Sequence, residues 1–318
     1  MKRSVRTRNV KYCCLVGAVL AFALPACKST PPEEAPAVQE ETKESVYVPP
    51  SFEEVQPLAL LGEDFGMYIT IPASKHVSLT ASVLTNEVKK MSRKDAETVA
   101  KHIALLCAGQ GARTDSSRLE VAASGMLPTV AVKTTFTKKN GWAKSDYDAV
   151  STEDALRHKY PHNFTYYSRE DSEYKIAFTS QELFCLSQDI VPMLERYAVR
   201  PDISDTPYNE WISQESDDIL FYVTRPEVYL QKLIGRQMSV GTDYMRGRLS
   251  RLDEDLYEMT LTMHALSPKA LPALKSLLML SFGLSGGTVT QTGSDMVELS
   301  NVKLTEEEII AMLIQKGE

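Results

Sequence analysis

Met67-Tyr68-Ile69-Thr70-Ile71-Pro72 and Phe221-Tyr222-Val223-Thr224-Arg225-Pro226 are nearly the same sentence written twice. Three of the six positions are identical and two are conservative, at an offset of 154. Further matches keep the same order. Gly125-Met126-Leu127-Pro128 sits against Ala265-Leu266-Ser267-Pro268 at an offset of 140. Thr179-Ser180-Gln181-Glu182-Leu183-Phe184 sits against Thr305-Glu306-Glu307-Glu308-Ile309-Ile310 at an offset of 126. The offset shrinks by 14 each time, so the first copy carries insertions. Ordered matches of this kind are the mark of an internal duplication.

Each motif reads as a short strand (66–71 and 219–224) closed by a Pro, which cannot donate to a sheet ladder. A helix follows in the first copy, where Val77, Ala81, Leu84, Val88 and Met91 recur at helical spacing. In the second copy Pro226 suits a first helical turn, and Val228 to Ile234 continues it. Met259, Leu261 and Met263 alternate with Glu258, Thr260 and Thr262, a strand with one buried and one wet face. Leu119, Val121 and Ala123 alternate likewise. Between them and the first helix, Ser92 to about Lys101 is expected as a second helix and Ile103–Ala108 as a strand. A helix is expected after Pro128, and Ala270–Leu284 is a strongly apolar one ended by glycines. Thr179 and Thr305 each open a Thr-x-x-Glu string, a capping box that predicts a final helix in each copy.

The expected architecture is α+β: two related β-α-β-β-α-β-β-α modules, antiparallel sheets with helices on one face. The first module spans 58–198, with an insertion at 139–169. A polar linker covers 199–217, and the second module spans 218–318.

What precedes residue 58 has a different character. Lys2, Arg3, Arg6, Arg8 and Lys11 come before any acid, and Cys13 to Leu24 is an uncharged, mostly apolar run. That is the plan of a signal peptide over 1–26. The run is shorter than the roughly 20 residues a membrane-spanning helix needs. It ends in Leu24-Pro25-Ala26-Cys27, which resembles the lipobox of bacterial lipoproteins. Leu24, Ala26 and Cys27 match that pattern and Pro25 departs from it, much as in the relaxed lipoboxes of spirochaetal lipoproteins. The resemblance implies a cleaved precursor with Cys27 lipidated, and hence attachment to a membrane through acyl chains. Lys28 beside it favours the outer membrane over the inner, by similarity to enterobacterial sorting. Residues 27–57 then read as the lipidated N-terminus and an acidic, Pro-rich tether, with six Pro and seven Glu against two Lys after Cys27. Thirty such residues at about 3.1 Å each reach about 90 Å.

Charge narrows the partners. The 318 residues carry 35 Lys+Arg against 42 Asp+Glu, a formal net charge of −7. Removal of 1–26 leaves 30 against 42, a net −12. Nucleic-acid binding needs clustered cations and is not expected. Five Cys are too few for a disulfide scaffold. Cys107 and Cys185 are either bridged, as an oxidising envelope allows, or buried thiols.

No convergent catalytic set stands out, and no cofactor or metal is expected. Gly283-Leu284-Ser285-Gly286-Gly287 fits the nucleophile-elbow string, but it follows a helix and precedes a strand, the reverse of the context that chemistry needs. His158 and His162 are four apart, with Pro161 between them to break a helix. The most suggestive stretch is the insertion, where Trp142, Tyr147, Tyr160, Phe164, Tyr166 and Tyr167 interleave with acids. Such aromatics stack on sugars or anchor a protein; equally, they cover a core. The functional expectation is a membrane-anchored envelope lipoprotein acting as a non-catalytic binding or scaffold module, for a protein or a small ligand. A lipid-anchored hydrolase with a cleft between the repeats, or a lipid or lipoprotein carrier, are the alternatives.

Overall fold

The repeated motif forms the middle of the molecule. The computed structural model describes residues 53–87, 92–112, 118–126, 133, 136–149, 160–227, 229, 241–283 and 286–313. Twelve strands are present among them: β1 (Phe65–Ile71), β2 (Ile103–Ala112), β3 (Leu119–Gly125), β4 (Trp142–Asp148), β5 (Asn163–Arg169), β6 (Lys175–Phe178), β7 (Leu183–Ser187), β8 (Ile219–Val223), β9 (Thr242–Asp253), β10 (Leu256–Ala265), β11 (Thr288–Thr292) and β12 (Met296–Thr305). They make one sheet in the order β11-β12-β10-β9-β8-β1-β2-β3-β7-β6-β5-β4. Every pairing is antiparallel.

β1 pairs with β8 in the register Met67↔Val223, Tyr68↔Tyr222, Ile69↔Phe221 and Thr70↔Leu220. Tyr68 therefore faces its own counterpart in the repeated motif. Outward from that pair the chain runs β2, β3, β7, β6 on one side and β9, β10, β12, β11 on the other. β5 and β4 extend the first side alone, and both lie in the insertion.

The helices are α1 (Val77–Glu87), α2 (Arg93–His102), α3 (Val191–Val199), α4 (Pro207–Ile212), α5 (Leu271–Phe282) and α6 (Glu306–Leu313). They occupy both faces of the sheet, not one. Leu79, Ala96, Leu274, Leu278 and Ile309 join Ile69, Val121, Leu186, Leu261 and Leu299 in one buried cluster. Met193, Leu194, Tyr197, Tyr208 and Ile212 join Tyr68, Ala122, Cys185 and Tyr222 in a second. The reason lies in the strands. β3 and β7 are buried at successive positions, so their side chains fill both faces and each face needs a cover. β10 alternates strictly between buried and half-buried positions, and one face suffices.

The expected helix after Ser92 and the strand after it form at α2 and β2, and the apolar stretch at 270–284 is α5. Thr305 caps α6 as its string predicts: its Oγ1 accepts from Glu308 N–H at 3.3 Å, and the Glu308 carboxylate accepts from Thr305 N–H at 2.8 Å. Thr179 does not start a helix. Its N–H and hydroxyl both donate to Leu183 C=O, closing the turn between β6 and β7. Leu183–Ser187 is a strand, and the last helix of this half begins at Val191. A short unbroken apolar run has no period to separate helix from strand. The third sequence match thus pairs unlike structures. The helix expected after Pro128 and most of that over Val228 to Ile234 lie outside the described residues.

The linker and the end of the tether are more ordered than their composition suggests. In the linker, α4 stacks Tyr208 on Tyr68 at 4.1 Å, and Thr70 Oγ1 donates to Ile212 C=O. Val55 and Pro57 are buried, and Pro57–Leu60 forms a one-turn 3-10 helix whose Leu58 and Leu60 enter the second cluster.

A buried carboxylate holds this region. Glu120 is 1% exposed and accepts from Arg118 at 2.6 Å, Arg196 at 2.5 Å and Gly62 N–H at 2.8 Å. Arg196 also donates to Leu60 C=O.

Candidate functional site

The six insertion aromatics do not share one surface. Pairing along β4 and β5 sends alternate side chains to opposite faces. Trp142 and Tyr167 pack around Phe136 at 4.8 and 5.0 Å on the first face, with Phe178 behind. Phe164 meets Tyr197 edge-on at 5.6 Å on the second. Tyr147 donates to the Glu195 carboxylate, and that bond pushes the phenol up to about 12. Tyr166 lies under Lys175 and Tyr160 under Arg200. Trp142 and Phe164 are buried; the four tyrosines are half-buried. They chiefly seal the two cores at the long end of the sheet.

Cys107 and Cys185 are free and buried. Cys107 pairs with Ala122 and Ala122 pairs with Cys185, so the thiols share a face two strands apart. Two spacings of about 4.8 Å exceed the reach of a disulfide. Burial pushes both thiols well above the usual range.

The chemistry-bearing surface is at the other end. On the second face, β9 presents Tyr244, Arg246 and Arg248, and β10 presents His264, Thr262 and Thr260 beside them. Trp211, from α4, lies over β9 and donates its indole N–H to Gly247 C=O at 3.4 Å. The Arg246 guanidinium sits 4.6 Å from the Trp211 ring centroid and that of Arg248 at 5.4 Å. Arg248 also approaches Asp218 at 3.7 Å. Arg246 Nε is buried and donates to no acceptor. Tyr244 stacks on Tyr222 at 5.3 Å and on His264 at 5.0 Å, the latter with only 3° between planes. His264 holds Nδ1 3.4 Å from Asp243 and Nε2 3.4 Å from Asp295.

This set supplies flat π-surface, two guanidinium groups and a row of hydroxyls on a rigid sheet. It suits recognition of an acidic group beside an apolar or planar one. The strand pattern Tyr-Met-Arg-Gly-Arg-Leu over 244–249 carried the signal, because alternation puts both arginines and the tyrosine on one face. Trp211 had none, since it reaches the face only through the fold of the linker.

Ser285, His158 and Cys27 lie outside the described residues. His76 is buried with both ring nitrogens engaged: Nε2 on Asp217 C=O at 2.7 Å and Nδ1 on Tyr257 hydroxyl at 3.2 Å. Among the described residues, no group of three or more His, Cys, Asp or Glu is placed to hold a metal.

An antiparallel sheet of this size with helices on both faces defines a mixed α and β body, and the family relationship gives it a place. The chain belongs to the outer membrane-associated lipoprotein TP0453 family, whose model matches residues 53–310. Solved structures share the fold. Crystal form I of TP0453 is 17% identical, covering 83% of this chain and 99% of that one, with a TM-score of 0.63. Crystal form III is 18% identical, covering 82% and 99%, with a TM-score of 0.64. No curated protein matches. The protein is thus a membrane-associated envelope lipoprotein of the outer membrane. Among the described residues no helix is long and apolar enough to cross a membrane.

Proposed function

We propose that the protein is a non-catalytic binding module, held to the outer membrane by acyl chains on Cys27 and displayed on the 28–57 tether. Two or three acyl chains at about 0.8 kcal/mol per buried CH₂ anchor far more firmly than one. Acyl labelling of the wild type against Cys27→Ser tests the anchor: label should vanish in the variant, and an unlabelled wild type would refute it.

The body arose by duplication, with copies at about 58–198 and 218–318 joined by 199–217. The repeated motif and the self-facing Tyr68 and Tyr222 support this. The ligand face is the open surface of the second copy. The observation that carries it is Arg246, half-buried on Trp211 with Nε donating to nothing. A guanidinium donor without an acceptor gains most from a charged one, so the site suits an acidic group from an envelope protein or a small ligand. The half-buried Tyr147, Tyr160, Tyr166 and Tyr167 offer a lesser contact surface.

In a Trp142→Phe background, Trp211 reports the site alone. Titration with carboxylated and phosphorylated saccharides and acidic peptides should change its fluorescence and saturate. Arg246→Ala should abolish the response while the unfolding curve stays close to wild type. An unchanged response in Arg246→Ala, or none in the parent, would overturn the assignment.

A further inference from the structure

The end of the tether and the ligand face lie on the same side of the sheet. Val55, Leu58, Leu60 and Leu61 enter the second buried cluster, and Trp211 and Tyr244 pack against that cluster too. Arg200 ties the tether down where it reaches the body: its guanidinium donates to Glu53 C=O and lies 4.0 Å from the Glu54 carboxylate. The 57–60 turn lies over β2 and β3, and α4 lies over β1 and β8. From β3 to β9 is four strand spacings, about 19 Å.

The face suits an acid beside a flat ring, and the chain just upstream of Glu53 holds that combination. Glu40-Glu41-Thr42-Lys43-Glu44-Ser45-Val46-Tyr47-Val48 has three acids against one base, and Tyr47 is the only aromatic between Cys27 and Phe52. On the face, Arg248 turns to Asp218 at 3.7 Å. Arg246 has no acid within ion-pairing distance among the described residues, and its buried Nε donates to no acceptor.

We infer that residues 40–48 of the protein's own tether are the resting occupant of the ligand face, with their carboxylates on Arg246 and Tyr47 against Trp211 and Tyr244. The inference rests on the ligand face proposed above and adds its regulation: an external acidic ligand must displace the tether. Reach allows it. Glu44 is nine residues before Glu53 and Glu40 thirteen, spans of about 28 and 40 Å at about 3.1 Å per residue. Both exceed the distance across the strands and leave slack to pass α4. A connection this short holds the segment at millimolar effective concentration, so a weak contact suffices to fill the face. Docking also retracts the body. Residues 28–39 alone reach about 37 Å from the membrane, against about 90 Å for the whole tether. Ligand capture and tether extension are therefore coupled.

The test follows Trp211 in full-length Trp142→Phe protein in detergent micelles, where it is the sole tryptophan. The triple variant Glu40→Gln/Glu41→Gln/Glu44→Gln removes the acids and leaves the folded body untouched. It should increase acrylamide quenching of Trp211. A synthetic peptide of residues 38–52 should bind the triple variant about tenfold or more tightly than it binds the parent, because the parent carries the competitor in cis. Arg246→Ala added to the triple variant should abolish peptide binding. Equal quenching and equal peptide affinity in the parent and the triple variant overturn tether docking. If acidic saccharides still perturb Trp211 through Arg246 in that case, the ligand face stands without it; if no acidic probe does, both readings fall. Shielding of Trp211 that disappears on dilution of the parent also overturns the inference, since the occupant is then the tether of a second copy.

Discussion

The two halves of the sheet are built from the same strand plan and finished differently. Around β2, β3 and β7 both faces are roofed, by α1 and α2 on one side and by α3 and the 57–60 turn on the other. Among the described residues, β10 and β12 are covered only on the face under α5 and α6, and the other face carries Trp211, Arg246 and Arg248 beside them. The final helices show the divergence most directly: Leu194 of α3 enters the second cluster, and Ile309 of α6 enters the first. One strand order used in both halves can thus commit one half to stability and leave the other a surface. α6 still serves the whole, because Glu306 at its start accepts from Ser82 of α1.

The sharpest way to break this contrast is at positions matched by the 140 offset, Glu120 and Thr260. Glu120→Ala leaves Arg118 and Arg196 without their buried carboxylate and should cost about 3–5 kcal/mol in urea unfolding. Thr260→Ala, on the open face, should stay within about 0.5 kcal/mol. Equal effects would mean that the open face is covered in solution.

Strand glycines come next. A Cβ at Gly109 would fall 2.5 Å from the Phe65 ring, and one at Gly247 would fall 2.4 Å from the Phe221 ring and 2.6 Å from Thr260 C=O. Each Gly→Ala change should cost about 1–3 kcal/mol by overpacking. Gly247 should suffer more, since a carbonyl cannot rotate away. A smaller loss at Gly247 than at Gly109 would show a looser second half.

The joint between the halves should respond to pH through His76. Burial, with a contribution from Arg251, holds His76 below its usual value, against the Asp217 carbonyl and the Asp217 and Asp218 charges that raise it. The folded state then binds fewer protons than the unfolded one below about pH 6.5, and stability falls as pH drops through that range. The unfolding free energy from urea titration should be lower at pH 5.5 than at pH 7.5, by no more than about 1.4 kcal/mol per pH unit. His76→Gln should lower stability at neutral pH and flatten that dependence. A slope unchanged in His76→Gln would place it elsewhere.

The smallest expected effect on stability is Arg246→Ala, within about 0.5 kcal/mol, because the residue lies on the open face. Its effect on ligand binding should be complete, and that dissociation of stability from binding separates the two halves most cleanly.

Strong periodicity made much of this legible. The alternation over 256–265 and the capping box at Thr305 translated directly into β10 and α6. The stretch after Ser92 is helix then strand, as expected, because Ala96 and Ala100 keep helical spacing, while Leu106 to Gly109 form a run buried on both faces. Leu183–Ser187 misled, since its four apolar residues in a row are equally compatible with either state. The aromatic cluster of the insertion misled differently: six neighbours in sequence were split between two faces by the strand pleat. Trp211 is the converse, remote in sequence from Arg246 and brought to it by α4.

The amino-acid order alone determined the twice-written motif and which strand residues are apolar, because these are properties of local chemistry and spacing. Only the tertiary structure decided that the two halves share a single sheet, that the helices among the described residues cover both faces of one half and chiefly one face of the other, and that the remaining surface collects an aromatic and two guanidinium groups. Those outcomes depend on which buried surfaces find cover, a competition settled between elements distant along the chain.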